Sequence, residues 1–324
     1  MRSHDGDRSI VAEGITRDFA DLRAVDRVDL NIGSGQIFGF LGPNGSGKTT
    51  TVKMLATILA LTAGSARVGG FDVITEPQEV RARIGVALQE VGLDPLMTAR
   101  EMLVLQSRLF SADSATARAK AEQLLKTVGL DDVDPKKRVG QFSGGMKRRL
   151  DLALALVHDP EILFLDEPTT GLDPVSRLGI WEEVRRLNTE RGMTIFLTTQ
   201  YLEEADRLAD EVAIINKGQI AAQGAPRALK KEIGSEVVTL SFASSELAER
   251  AGAALEALAP KQQLVGRDLL CYFTAAADKL AGLVRALDEA QIPLEALVLN
   301  EPTLDDVFLR ATGHRMTGST EEAS

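Results

Sequence analysis

The chain reads as an α/β fold built on a largely parallel sheet, followed by a smaller α+β domain. Three observations predict this. An apolar strand, a glycine-rich turn and a helix follow one another at residues 36–59. Short apolar strands alternate with helices from about residue 9 to 225. After Ile233 the order changes to βαββαβ.

Taken in order, strands are expected at 35–41, 84–88, 162–165, 194–198 and 212–215, each a short apolar run bounded by turn residues. A helix opens after Lys48 and runs over 50–59. Between about 93 and 158 the alternation is interrupted, and 98–110 and 114–128 carry apolar residues at three- and four-residue spacing, which predicts a helical subdomain inserted in the α/β core. Trp181, with Leu and Val positions around it, suits a core-facing helix. Residues 9–225 therefore form the first domain and 226–314 the second. The second contains a strand at 236–242, a helix at 245–258, strands at 262–265 and 268–273 around Gly266-Arg267, a helix at 278–290 and a strand at 294–299, a ferredoxin-like arrangement. The polar tails 1–8 and 315–324 are expected to be disordered.

Composition narrows the class. With 324 residues, 44% hydrophobic and 26% charged, the chain has material for two domain cores. The 47 carboxylates against 37 Lys and Arg give a net charge of -10 and a pI near 5.0, which disfavours coating of nucleic acid. No apolar run approaches the roughly 20 residues that span a bilayer, and the start lacks an apolar leader core, so a cytoplasmic location is expected. Cys271, the one cysteine, sits between Leu270 and Tyr272 and reads as a small core residue. His4, His158 and His314 are scattered and suggest no metal cluster. The basic runs 136–138 and 147–149 read as solvated faces or aids to phosphate attraction.

Two elements carry phosphate chemistry. Gly42-Pro43-Asn44-Gly45-Ser46-Gly47-Lys48-Thr49 is a P-loop: its glycines let backbone N–H groups curl around phosphate oxygens, and the following helix N-terminus adds free donors and a positive dipole end. Lys48 is placed to reach the outer phosphates, with Thr49 set to ligate Mg²⁺. The strand 162–165 runs into Asp166-Glu167, whose side chains are expected on opposite faces by strand alternation. Asp166 then suits Mg²⁺ through its water shell, and Glu167 suits a general base for an attacking water.

A third element identifies a family. Phe142-Ser143-Gly144-Gly145-Met146 lies upstream of Asp166-Glu167-Pro168, which is followed by Gly171-Leu172-Asp173. With the P-loop ahead of them, in this order, the chain resembles the ATP-binding subunit of an ABC transporter over about residues 9–225. The resemblance implies a P-loop NTPase fold of ABC ATPase type, ATP and Mg²⁺ as ligands, and ATP hydrolysis. It makes Phe142–Met146 a variant signature in which Ser143, Gly144 and Gly145 meet the ATP held by a partner subunit, so a head-to-tail, ATP-bridged homodimer is implied. Within one subunit ATP would be held by Phe19, stacking on adenine, by Gly42 to Thr50 (Thr50 included), and by Gln89; Mg²⁺ would be held by Thr49, Gln89 and Asp166. Asp173 occupies the D-loop position at the dimer junction, and it equally suits a helix N-cap before Pro174.

Gln200 departs from the family pattern, standing where most relatives carry the switch histidine. Glutamine can hydrogen-bond a γ-phosphate oxygen or the lytic water but carries no titratable proton, so slower or less pH-dependent turnover is expected, with Glu167 bearing more of the catalysis. The strings Gln200-Tyr-Leu-Glu-Glu-Ala-Asp206 and Glu301-Pro-Thr-Leu-Asp-Asp-Val-Phe308 are close to the daunorubicin-resistance branch. That branch implies export of drugs, antibiotics or lipids through a separate permease of about six spans, peripheral attachment to the cytoplasmic face of the membrane, and permease docking near Gln89 and residues 90–99, with Leu93 and Leu96 exposed. The alternative is a non-transport ABC ATPase acting as a nucleotide-dependent regulatory switch. The second domain reads either as a small-molecule sensor or as an enlargement of the dimer contact.

Overall fold

A computed structural model describes residues 8–89, 92–233, 236–274, 276–300 and 302–313, and the chain divides into two units between Ala221 and Ala222. The tails 1–7 and 314–324, with His4 and His314, lie outside the described residues, as do Glu90, Val91 and Glu301.

The first unit begins with β1 (Arg8–Phe19), β2 (Leu22–Gly33), β3 (Ile37–Leu41), α1 (Lys48–Leu55), β4 (Ala63–Val68), β5 (Phe71–Asp72), α2 (Pro77–Arg83) and β6 (Ile84–Ala87). It continues with α3 (Ala99–Leu109), α4 (Ser114–Thr127), α5 (Gly144–Ala155), β7 (Ile162–Asp166), α6 (Pro174–Arg191), β8 (Thr194–Thr199), α7 (Leu202–Leu208), β9 (Glu211–Asn216) and β10 (Gln219–Gly224). The central sheet is six-stranded in the order β10-β9-β3-β8-β7-β6, and β9 through β6 pair in parallel. Every residue of β3, β7 and β8 is buried, as expected of parallel strands covered on both faces.

The pleat sends alternate residues of these strands into two cores. Phe38, Phe40 and Phe164 each pack their ring 5.5 Å from that of Phe196, on the side closed by α1 and by a second sheet, β2-β1-β4-β5. Ile37, Leu163, Leu165, Ile195 and Leu197 join the other core, with Trp181 and Val184 of α6 and the helices between β6 and β7. In that helical stretch Thr98 and Glu101 form a capping box on α3, and Asp113 and Ser143 cap α4 and α5.

The antiparallel second sheet is absent from the sequence-based expectation. Its signal was present in β2, where Val28, Leu30 and Ile32 alternate with polar residues, but β1 carries several register shifts that break the period of two. Helix α1 also differs from the expected 50–59: it starts at Lys48 and gives way at Ala56, ahead of a left-handed Thr57.

The second unit comprises α8 (Pro226–Ile233), β11 (Glu236–Ser241), α9 (Ser245–Leu255), β12 (Gln262–Val265), β13 (Asp268–Phe273), α10 (Leu280–Glu289), β14 (Ala296–Asn300) and α11 (Leu304–Thr312). Its sheet runs β12-β13-β11-β14, antiparallel throughout. Val238, Leu240, Leu269 and Cys271 point from the strands into a core shared with Ala248, Ala251 and Leu255 of α9 and Leu283 and Leu287 of α10. Strands β12 and β13 coincide with the expected ones, whereas β14 begins two residues later than expected. Helix α11 was not expected, although the Thr303/Asp306 capping box that starts it is a sequence-level signal.

Candidate functional site

The phosphate loop leaves β3 at the C-terminal end of the parallel strands. A Cβ on Gly42 would lie 2.4 Å from the Ile215 carbonyl oxygen and 2.5 Å from Ser46 Oγ, so only glycine fits there. Gly47 is the left-handed residue, φ 109°, on which the chain swings into α1. Lys48 is buried and folds back across the loop, donating from Nζ to the carbonyls of Gly42 at 2.7 Å and Pro43 at 3.1 Å. It also pairs with Glu167 Oε1 at 3.2 Å. Burial lowers its pKa, an effect that Glu167 and then Asp166 oppose. Asn44 and Gly45 are exposed at the loop's tip, and Thr49 and Thr50 are half-buried in the first turn of α1.

Asp166 and Glu167 do part company, but not by strand alternation. Asp166 ends β7, whereas Glu167 has left the strand in a left-handed conformation, φ 49°, a strained state for a residue with a long side chain. Asp166 is fully buried; its Oδ1 accepts from Thr198 Oγ1 at 2.5 Å, and its Oδ2 is buried with no partner among the described residues. Glu167 Oε2 lies 3.4 Å from Gln89 Nε2 and accepts from Thr170 Oγ1 at 3.2 Å. The backbone N–H of Glu167 is held by the carbonyl and the hydroxyl of Thr198, both at 3.1 Å. Lys48, Glu167 and Gln89 thus converge, and Thr198 joins Asp166 to them.

At the start of α5, exposed Ser143 caps the helix by accepting from Met146 N at 3.3 Å. A Cβ on the buried Gly145 would lie 2.7 Å from Ser176 Oγ. Ser176 is held by Asp173, which accepts from its N at 2.9 Å and its Oγ at 2.6 Å and so caps α6; these bonds keep the Asp173 carboxyl below its ordinary range. Of the two readings of Asp173, the N-cap geometry is present. Phe19, 40% exposed at the end of β1, has the Arg17 guanidinium 4.5 Å from its ring centroid. Gln200 is half-buried just beyond β8.

Two expectations need correction, and one residue was missed. Arg148, read as part of a solvated basic run, is 6% exposed and donates to backbone carbonyls at Leu88, Asp166 and Pro168. Leu93 is half-buried against the helical core, so of the two expected docking leucines only Leu96, 69% exposed, stands free. The switch string hides a functional-looking residue besides Gln200: Glu204 is fully buried, and its Oε1 accepts from Trp181 Nε1 at 2.8 Å and Thr169 Oγ1 at 2.9 Å, while burial raises its pKa. A carboxylate on the apolar stripe of a helix was the signal that pointed to it.

This arrangement suits phosphoryl transfer: a glycine cradle, a buried lysine folded across it, a buried carboxylate at the strand end and a second carboxylate beside a glutamine. Similarity to known proteins agrees. Residues 25–170 match the ABC transporter family. The chain is 44% identical to Daunorubicin resistance ATP-binding protein DrrA3 of Streptomyces coeruleorubidus, over 95% of this chain and 96% of that protein. It is 40% identical to Nod factor export ATP-binding protein I of Paraburkholderia xenovorans, over 95% of this chain and 98% of that protein. Among solved structures, a dimeric ATP-binding cassette in a post-hydrolysis state with ADP and Pi matches 67% of this chain and 98% of its own, with TM-score 0.61 and 25% identity. No helix among the described residues is long and apolar enough to cross a membrane. Resemblance over nearly its whole length to daunorubicin-resistance ATP-binding proteins places the chain in the daunorubicin-resistance branch of the ABC transporter ATP-binding proteins, as an ATP hydrolase.

Proposed function

We propose that the chain is the ATP-driven motor subunit of an exporter, working with a separate permease to move drugs, antibiotics or lipids. The observation that carries the reading is the convergence of Lys48 and Gln89 on Glu167, at 3.2 and 3.4 Å, at the mouth of the glycine loop and beside an unpartnered Asp166 Oδ2. The names of its relatives support the export of bioactive small molecules.

The donor set fits Mg²⁺: Asp166 Oδ2 is a buried acceptor without a partner among the described residues, and hard oxygen ligands are what this ion takes. Thr49, Gln89 and Asp166 would hold it. Bound there, the ion neutralises charge on the phosphates. Phe19 would stack on adenine, and the backbone of Gly42, Pro43, Asn44, Gly45, Ser46, Gly47, Lys48, Thr49 and Thr50 would cradle the phosphates. Lys48 exchanges the Gly42 and Pro43 carbonyls for phosphate oxygens, which are the stronger, charged acceptors. That exchange also releases Glu167 from its ion pair, freeing the carboxylate to take a proton from the attacking water. Gln200 hydrogen-bonds that water or the γ-phosphate without titrating.

Ser143, Gly144 and Gly145 would complete the site of a second copy in a head-to-tail dimer, with Asp173 at the junction. Thr49, Gln89 and the signature thereby serve two subunits' nucleotides, and closure on ATP is the stroke passed to the permease. The domain limits 9–225 and 226–314, an inserted helical subdomain and a ferredoxin-like second domain complete the proposal; the strand order β12-β13-β11-β14 supports the last of these. Absence of a spanning helix among the described residues supports peripheral attachment at the cytoplasmic face through the permease.

Capture of the Glu167→Gln protein from native membranes with Mg-ATP, against a Lys48→Ala control, tests the reading. Recovery of a polytopic membrane protein only with Glu167→Gln is expected. Recovery of ribosomal or DNA-bound proteins without a membrane partner would assign the chain to regulation instead.

A further inference from the structure

Arg148 is the most thoroughly engaged side chain near the site, although its neighbours Lys147 and Arg149 are only half-buried. Its Nε donates to the Pro168 carbonyl at 2.9 Å and its Nη2 to the Asp166 carbonyl at 2.8 Å. Its Nη1 donates to the Leu88 carbonyl at 2.7 Å and to Asp151 Oδ2 at 3.0 Å. A planar guanidinium with its donors in a fixed fork can hold several carbonyls at once in one geometry; an ammonium cannot.

The identity of those carbonyls is what matters. Asp166 and Pro168 flank Glu167. The peptide joining Asp166 to Glu167 is pinned from both sides, its C=O by Arg148 and its N–H by Thr198. This is the peptide that sets φ of Glu167, the left-handed angle that carries its side chain out of the strand direction and toward Lys48. Left-handed backbone in a long-chain residue is strained and persists only where its surroundings enforce it. The third carbonyl precedes Gln89, whose side chain meets Glu167 Oε2. One guanidinium therefore sets both sides of the Glu167–Gln89 contact. It does so from α5, one helical turn beyond the Ser143–Gly145 start.

We propose that Arg148 is a positioning residue for hydrolysis, holding the Glu167 carboxylate and Gln89 in register with the phosphate loop from the signature helix. The proposal rests on Glu167 being the general base. It weights turnover over binding: Arg148 bonds to none of the phosphate-loop residues Gly42–Thr50, so its loss misplaces the base while that cradle stays in place.

The test compares ATP hydrolysis by Arg148→Lys, Arg148→Ala and Glu167→Gln with the parent protein, with thermal unfolding and nucleotide binding measured on each. Arg148→Lys keeps the charge beside Asp151 and is the variant more certain to fold. Expected for it are a fall in kcat of about a hundredfold, the scale of effect that misplacement of a catalytic group produces, and a KM for ATP that changes far less than kcat. Arg148→Ala is expected to regain activity on addition of guanidinium ion, at concentrations too low to unfold the parent, which a loss of fold alone would not allow. Parental kcat in both Arg148 variants, or a loss that follows the folded fraction and is not relieved by guanidinium, overturns the proposal. Hydrolysis at the parental rate by Glu167→Gln would instead remove the base on which the proposal rests, while an inactive Glu167→Gln beside fully active Arg148 variants removes Arg148's role alone.

Discussion

The two units bury different things. Every buried charged side chain among the described residues, Lys48, Arg148, Asp166, Glu167 and Glu204, belongs to the first unit and clusters where β3, β7 and β8 end. The core of the second unit is apolar, and the Cys271 thiol within it is pushed up to about 12 by burial. Buried charge costs free energy unless each group is paired, so it is kept where chemistry uses it. An apolar core contributes stability and takes no part in the chemistry.

The contrast is sharpest for a pair of substitutions. Glu167→Gln should reduce ATP hydrolysis by about 10²–10⁴-fold, the usual share of a general base, while leaving ATP binding in place. Leu269→Ala, in the second unit's core, should cost about 2–5 kcal/mol of that unit's stability in denaturant unfolding without a change in kcat on the folded protein. A kcat that fell with Leu269→Ala as far as with Glu167→Gln would break the comparison.

A smaller effect concerns pH. The Asp151 carboxyl is raised to about 6 by burial, against the opposing pull of Arg148. The folded state then holds this proton more tightly than the unfolded chain, so between the ordinary carboxylate value and about 6 the folded protein binds more protons. Stability from this group is present at low pH and is lost as pH rises through about 6. Unfolding midpoints measured across that window should show this slope, and Asp151→Asn should flatten it. The smallest effect is expected at Gln200. Gln200→His should keep or raise the hydrolysis rate and add a pH dependence near the ordinary histidine value of about 6.5, visible in a kcat profile. A flat profile with unchanged rate would mean that this position does not meet the reacting groups.

Much of this was legible in the sequence where physics is local. The apolar runs of β3, β7 and β8, the phosphate loop between a strand and a helix, and the β12–β13 pair around left-handed Gly266 each follow from a few adjacent residues. The site residues Lys48, Gln89, Asp166 and Glu167 were named from motif and resemblance, and Lys48, Gln89 and Glu167 meet. What escaped was set by partners distant in sequence. The left-handed turn at Glu167 depends on Thr198 and Arg148, neither of which the local string announces. Arg148 was hidden by its basic neighbours, yet Gly145, Arg148, Leu152 and Ala155 recur at helical spacing and share the buried face of α5. Glu204 follows the same rule on α7, between Leu202 and Leu208. A charged residue on the apolar stripe of a helix is thus a better signal than the sign of the run around it.

The placement of Trp181 has an optical consequence. It is the single tryptophan of the chain, its indole N–H ends on Glu204, and the Arg207 guanidinium lies 5.3 Å from its ring centroid. The same carboxylate oxygen takes the hydroxyl of Thr169, just past Glu167, and the carboxylate itself rides on the helix that follows Gln200. The chromophore is therefore tied through one carboxylate to the segment after Glu167 and to the helix after Gln200, and a shift in its emission wavelength, read without any label, is the expected sign that these two segments have moved apart.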